Sequence, residues 1–316
     1  MKKVIDDERL MIKICDMYYN QDMSQKLIAD QLGLSRPTIS RMIAGAKEQG
    51  IVSISIKNLE DTDYVDLERT IETIYGLQEV IVVAHTADAE KQKQLLGKAA
   101  AAYLKRMIKD NHVVGVSMGT TLRHVVSQID GVSAKNVLFV PLIGGMGHLR
   151  SELHSNSLVE VLADKYGGEY IPMYAPARVS NRMIRTEFQN EKSIARVIKM
   201  CNKLDLALVG IGYPSKSSSI MATGYYAKDE MRLMKAKQVT GDICMQFYDE
   251  NGNTDPYKKE NTVIGIEIKK LRKVPHSIGV AAGAEKLPAI RGAIRGKYIN
   301  TLITDVECAE RLAENI

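Results

Sequence analysis

Residues 24–44 read SQKLIADQLGLSRPTISRMIA, and the spacing of this stretch predicts two short helices joined by a tight turn. In the first helix Leu27, Ile28 and Leu32 form an apolar face, and Ala29 supplies the small side chain that lets a second helix cross close by. Gly33 makes the turn, where a positive φ costs glycine nothing. Ser35 caps the second helix, Arg36 and Pro37 fill its first turn, and Ile39, Met42 and Ile43 face inward. Arg36, Thr38, Ser40 and Arg41 are left outside, and long donors with short hydroxyls at the start of a second helix suit the major-groove edges and adjacent phosphates of DNA. Any amphipathic helical hairpin shares part of this spacing. Here the small, turn and core positions coincide, and residues 50–56, GIVSISI, alternate apolar and hydroxyl side chains as the strand of a wing does. The expected DNA-binding residues of this winged helix-turn-helix are Gln25, Ser35, Arg36, Thr38, Ser40, Arg41 and Lys47.

The chain has 316 residues, enough for a small domain and a large one, and a net charge of only +5. Residues 1–58 carry nine Lys/Arg against seven Asp/Glu, so the DNA argument rests on where Arg36, Arg41 and Lys47 sit and not on bulk charge. Cys15, Cys201, Cys244 and Cys308 include no C-x-x-C pair, which argues against a zinc site or a disulfide framework. No apolar run reaches membrane-spanning length, and the start, MKKVIDDERLMIKIC, turns acidic too soon for a signal peptide. A cytoplasmic chain with no membrane partner, no cofactor and no metal is expected.

The small domain is expected over residues 1–57, a polar linker over 58–63 (NLEDTD) and a larger domain over 64–316. A helix is predicted from Tyr64 to Tyr75, ending at Gly76. Beyond it, apolar strands at Val80–Val83, Val113–Ser117, Val137–Leu142, Leu206–Ile211, Ile278–Ala281 and Thr301–Ile303 alternate with helices, notably Lys91–Lys109, Glu152–Lys165, Lys192–Asn202 and Glu285–Arg295. That alternation predicts an α/β domain with a largely parallel, Rossmann-like sheet.

In such sheets ligands bind beyond the carboxyl ends of the strands, and three predicted strands run into glycine-containing loops. In VVGVSMGTT, residues 113–121, Gly119 lets the backbone approach an anion while Thr120 and Thr121 add hydroxyl donors at the start of a helix. The second loop holds Gly144 and Gly145. The third, residues 280–286 (VAAGAEK), holds Gly283 and places Lys286 in a first helical turn, where the macrodipole disfavours a cation unless an anion lies nearby. A phosphate would be that anion. Each loop alone is equally readable as an ordinary tight turn.

Taken together, SRPTISRMIAGAKEQGIV, VVGVSMGTTLRHV with the GG loop, VTGDIC with the turn DENGN, and GVAAGAEKLPAIRGAIRGKYINTLITD resemble the SorC/DeoR-type sugar-binding bacterial transcriptional regulators along essentially the whole chain. The resemblance implies an effector domain with the fold of sugar-phosphate isomerases and deaminases, serving as a sensor and not as an enzyme. It implies a homo-oligomer, usually a tetramer, on palindromic operator DNA, whose operator affinity changes when a phosphorylated sugar or polyol binds. Carried over, Gly119, Thr120, Thr121, Gly283 and Lys286 hold the phosphate, Asp242 accepts from sugar hydroxyls, and Gly144, Gly145 and Asn156 complete the effector site. Where some members keep a Schiff-base lysine before the GG pair, this chain has Ile143, so noncovalent capture is expected.

His148, Arg150, His154 and Arg178 are polar residues without an assigned role, and the six-residue spacing of the two histidines is not that of metal ligands on one helical face. A sugar-phosphate isomerase or deaminase would use the same loops but needs a second acid or base beside Asp242, and the sequence shows no recognisable one. A DNA-architectural protein that senses nothing would leave the Gly–Thr–Thr and Gly–x–x–Lys loops unexplained.

Overall fold

The computed structural model describes residues 7–54, 64–147, 150–214, 232, 234–259 and 261–314. The chain divides into two compact units, Met1–Asp61 and Thr62–Ile316; the linker expected over 58–63 lies outside the described residues.

In the smaller unit α1 (Glu8–Tyr19), α2 (Gln25–Leu32) and α3 (Arg36–Glu48) close around Met11, Ile14, Ile28, Ile39 and Met42, all essentially inaccessible. The helix α1, unread in the sequence, supplies much of this core: two short helices cannot bury an apolar face without a third. Ser24 and Ser35 cap α2 and α3, accepting from the N–H of Leu27 and Thr38 at 3.3 Å each, and Gly33 turns between them at φ 65°. Leu27 departs from expectation, being 57% exposed. It lies about 100° around the helix from Ile28, on the side away from Leu32, so it falls off the face that meets α1 and α3. Of the strand expected over 50–56, residues 51–54 form a bend and irregular chain, and 55–56 lie outside the described residues.

The larger unit begins with α4 (Val65–Tyr75), ended by Gly76 at φ 65°. There follow β1 (Glu79–Val83), α5 (Ala89–Met107), β2 (Val113–Val116), α6 (Thr120–Gln128), β3 (Leu138–Pro141), α7 (Ser155–Tyr166), β4 (Glu169–Tyr170), α8 (Arg182–Asn190), α9 (Lys192–Met200), β5 (Leu206–Gly210), β6 (Gly241–Ile243), β7 (Gln246–Tyr248), β8 (His276–Val280), α10 (Leu287–Arg295), β9 (Thr301–Asp305) and α11 (Val306–Glu314). Seven strands form one parallel sheet in the order β1-β9-β8-β5-β2-β3-β4, while β6 and β7 make a separate antiparallel hairpin. Alternate residues serve opposite faces: Val114, Val116, Leu206, Leu208, Ile278 and Val280 pack on one side, and Ala207, Val209 and Leu302 on the other. Burial on both faces explains why these strands read as continuous apolar runs.

The strand order positions the site. From β2 the chain winds outward through β3 and β4, then returns to place β5 on the opposite flank of β2 and winds the other way through β8 and β9. The loops leaving β2 and β5 therefore diverge, opening a crevice at the topological switch point.

Candidate functional site

A cavity of about 480 Å³ occupies that crevice, lined by the segments that follow β1, β2, β5, β8 and β9 together with the β6–β7 turn. Gly119, at φ 125° and ψ 169°, leads into α6 in a conformation that side-chain-bearing residues avoid, and no side chain caps the helix. Its own N–H donates to Leu153 O at 3.1 Å. The first N–H groups of α6 are thus left for a ligand, with Gly119, Thr120, Thr121 and Leu122 all on the cavity wall.

Asp242 reaches the cavity on a strained turn. Cys244 and Met245 hold φ of 52° and 58°, the left-handed region that such residues rarely adopt. Cys244 Sγ donates to Ser117 Oγ at 3.3 Å, Met245 N–H donates to Asp242 Oδ2 at 3.2 Å, and Gly212 and Asp242 exchange two backbone hydrogen bonds of 3.0 Å that tie the hairpin to the end of β5. Burial pushes the Asp242 carboxyl up to about 7, against the smaller opposing effects of the Met245 N–H and the nearby Lys286 ammonium. Near neutrality this side chain both donates and accepts, which suits a sugar hydroxyl. Desolvation likewise lowers the Lys286 ammonium from the ordinary lysine range, partly offset by Glu285 and Asp242. Lys286 Nζ has no hydrogen-bond or ion-pair partner among the described residues, and Gly283 ahead of it stands at φ 102°.

Six of the nine expected effector residues, Gly119, Thr120, Thr121, Asp242, Gly283 and Lys286, lie on this one wall. The other three do not. Gly144 and Gly145 donate their N–H groups to Ile264 O (3.0 Å) and Ala175 O (2.8 Å), and a Cβ on Gly144 would stand 2.5 Å from Ala175 O, so the smallness of Gly144 serves a close approach of backbones. Asn156 is spent on Met173, donating to its carbonyl at 3.1 Å and accepting from its N–H at 3.0 Å. Ile143 is fully buried in the core and off the wall, whereas Lys93 and Lys286 are on it; the covalent question belongs to those lysines. Arg150 stands 3.2 Å from Glu152, Arg178 Nε donates to Thr262 Oγ1 at 3.0 Å, His154 lies beside Gly145, and His148 is outside the described residues.

The wall also carries residues that sequence reading missed: His85 after β1, Lys93 on α5, Asp305 closing β9 and Glu307 opening α11. His85 Nδ1 lies 2.7 Å from Asp305 Oδ2, and that hydrogen bond raises the imidazole above its ordinary range. A second ionisable pair besides Asp242 and Lys286 thus lines the cavity. Its signal was a polar residue ending an apolar strand, as in VVAH and TLITD.

On α3, Arg36, Ser40 and Arg41 are exposed and make no side-chain hydrogen bond or ion pair among the described residues. Ser35 and Thr38 bind each other, Oγ to Oγ1 at 2.8 Å, so their hydroxyls are committed to the helix start. Gln25 is half-buried, and Lys47 Nζ lies over the Tyr19 ring at 5.9 Å, far from the first turn. Among the described residues no helix is long and apolar enough to cross a membrane.

Residues 60–314 match the family of sugar-binding domains, Sugar-bind. The chain is 36% identical to the sorbitol operon regulator of Klebsiella pneumoniae over 97% of its own length and 98% of that protein's. To the deoxyribonucleoside regulator of Bacillus subtilis it is 34% identical, covering 98% and 99%. The crystal structure of the full-length Klebsiella regulator, SorC, superposes with a TM-score of 0.73 over 98% of this chain and 99% of that one. A transcriptional regulator from Streptococcus pneumoniae gives 0.75 at 27% identity, covering 80% and 98%. With an exposed basic helix in one unit and an anion-ready cavity in the other, the chain belongs to the SorC/DeoR-type sugar-binding transcriptional regulators.

Proposed function

We propose that this regulator binds operator DNA through α3 and that a phosphorylated sugar or polyol, held noncovalently in the cavity, sets its operator affinity. One observation carries the reading: the uncapped start of α6, the unpartnered Lys286 ammonium and the buried Asp242 share one cavity wall. The phosphate sits at the helix N-terminus beside Lys286, and Asp242 meets a hydroxyl. The relatives named for sorbitol and for deoxyribonucleosides support polyhydroxylated ligands as the class. Fluorescence-anisotropy titration of operator DNA, with a panel of sugar and polyol phosphates and their dephosphorylated counterparts, is the test. A phosphate-dependent shift in operator affinity supports the reading; equal response to the dephosphorylated compounds, or none to any, sinks it.

The reading includes a homo-oligomer, a tetramer, in the cytoplasm with its DNA. An enzymatic reading has one observation in its favour, the presence of Asp242 and the His85–Asp305 pair on the wall of one cavity. Incubating the protein with the active phosphates and following them by ³¹P and ¹H NMR decides it. No turnover is expected.

A further inference from the structure

His85, Asp305 and Glu307 come from three neighbouring features of the fold, the loop after β1, the end of β9 and the first turn of α11, and converge on the rim of the cavity. Each offers one ligating atom, and the three lie within 4.8 Å of one another: His85 Nδ1 is 2.7 Å from Asp305 Oδ2 and 3.5 Å from Glu307 Oε2. Three donors on a single ion at about 2.0–2.2 Å stand roughly 3–4 Å apart, so small side-chain movements bring this set together.

The remaining atoms of both carboxylates are already held. Asp305, fully buried, uses Oδ1 to accept from the N–H groups of Gly283 and Cys308, each at 3.3 Å, which leaves Oδ2 facing His85. Glu307 uses Oε1 to accept from Arg311 at 2.8 Å, which leaves Oε2 facing the same point. Outer partners that orient both carboxylates while freeing one atom of each are the usual support of a metal site.

We propose that His85, Asp305 and Glu307 bind one divalent first-row transition ion, of the Mn²⁺ or Zn²⁺ class, at the cavity rim. One imidazole and two carboxylates form a mixed nitrogen and oxygen set suited to such ions. The protein supplies three ligands from one side, and the cavity side stays open to hydroxyl or phosphate oxygens of the effector. That last role rests on the proposed function; ion binding does not.

The test uses the untagged, EDTA-treated full chain without DNA or sugar. Titration with MnCl₂, free Mn²⁺ being read by electron paramagnetic resonance, is expected to show one site per chain that ZnCl₂ displaces. His85→Ala and Glu307→Gln should each weaken binding at least tenfold while their metal-free circular dichroism matches wild type. In the wild-type chain, saturating Mn²⁺ should also protect His85 from diethylpyrocarbonate, read by peptide mass spectrometry, a measurement that needs no folded variant. Mn²⁺ left free up to about 1 mM, unchanged affinity in both variants, or an unprotected His85 overturns the proposal. Such a failure leaves the effector reading standing, because the operator titration is run separately in EDTA.

Discussion

Asp242 is buried, accepts one N–H at 3.2 Å and carries a carboxyl raised to about 7 from a reference of 3.8. A carboxyl raised on folding binds more protons in the native than in the unfolded chain across this interval, so the contribution of Asp242 to stability is fully present below about pH 4 and is lost as pH rises through about 7. Asp242→Asn removes that slope. The difference between wild type and variant is expected to change by up to about 4 kcal/mol between pH 4 and pH 8, measured by denaturant melts of each at both pH values. A parallel pH dependence in the two proteins contradicts the buried environment. Lys286 shares the wall and lacks a partner, so Lys286→Ala is expected to weaken a phosphorylated effector about 10- to 100-fold, the value of a charge-assisted hydrogen bond, with operator affinity in the absence of effector unchanged. Isothermal titration with the active phosphate reads this directly. These environments were not legible beforehand: VTGDIC marks Asp242 as a residue, but its desolvation comes from the β6–β7 turn folding against Ser117, more than a hundred positions away.

At the scale of elements, α3 presents Arg36, Ser40 and Arg41 to solvent while Ile39, Met42, Ile43 and Ala46 hold it to the core. Exposed helix substitutions cost little stability, so Arg36→Ala and Arg41→Ala are each expected to weaken specific operator binding by at least about 1 kcal/mol with thermal unfolding unmoved. Unaltered operator affinity in both rules out α3 as the reading helix. Elements with a strong period were legible: six strands of the sheet, and the caps at Ser35, Gly33 and Gly76. Those that escaped are short or gain their reason elsewhere. The two-residue β4 exists because it pairs with β3, the three-residue β6 and β7 pair with each other and bridge to Gly212 beyond β5, and α1 follows from the needs of α2 and α3. The glycines of the GG loop donate their N–H groups to the carbonyls of Ile264 and Ala175, partners that no local spacing records.

For the whole molecule, a helix-turn-helix regulator of this family is expected to act as a symmetric oligomer, so DNase footprints should show inverted half-sites separated by whole helical turns, with a mass of more than one chain by light scattering. A monomer protecting a single half-site contradicts this. Borohydride treatment of the effector-saturated protein is expected to leave its intact mass unchanged. A stoichiometric increase by one reduced sugar marks Lys93 or Lys286, the two wall lysines, as a Schiff-base partner. The linear chain by itself determined the helix-turn-helix, the alternation that makes a parallel sheet, and the glycine-containing loops that follow its strands, because period, caps and glycine turns are encoded within a few residues of one another. Only the tertiary structure decided which of those loops share a cavity and what else lines it. His85 and Asp305 stand 220 residues apart and meet because β1 and β9 are parallel neighbours in the sheet. Strand order is set by packing across the whole domain, and no local spacing records it.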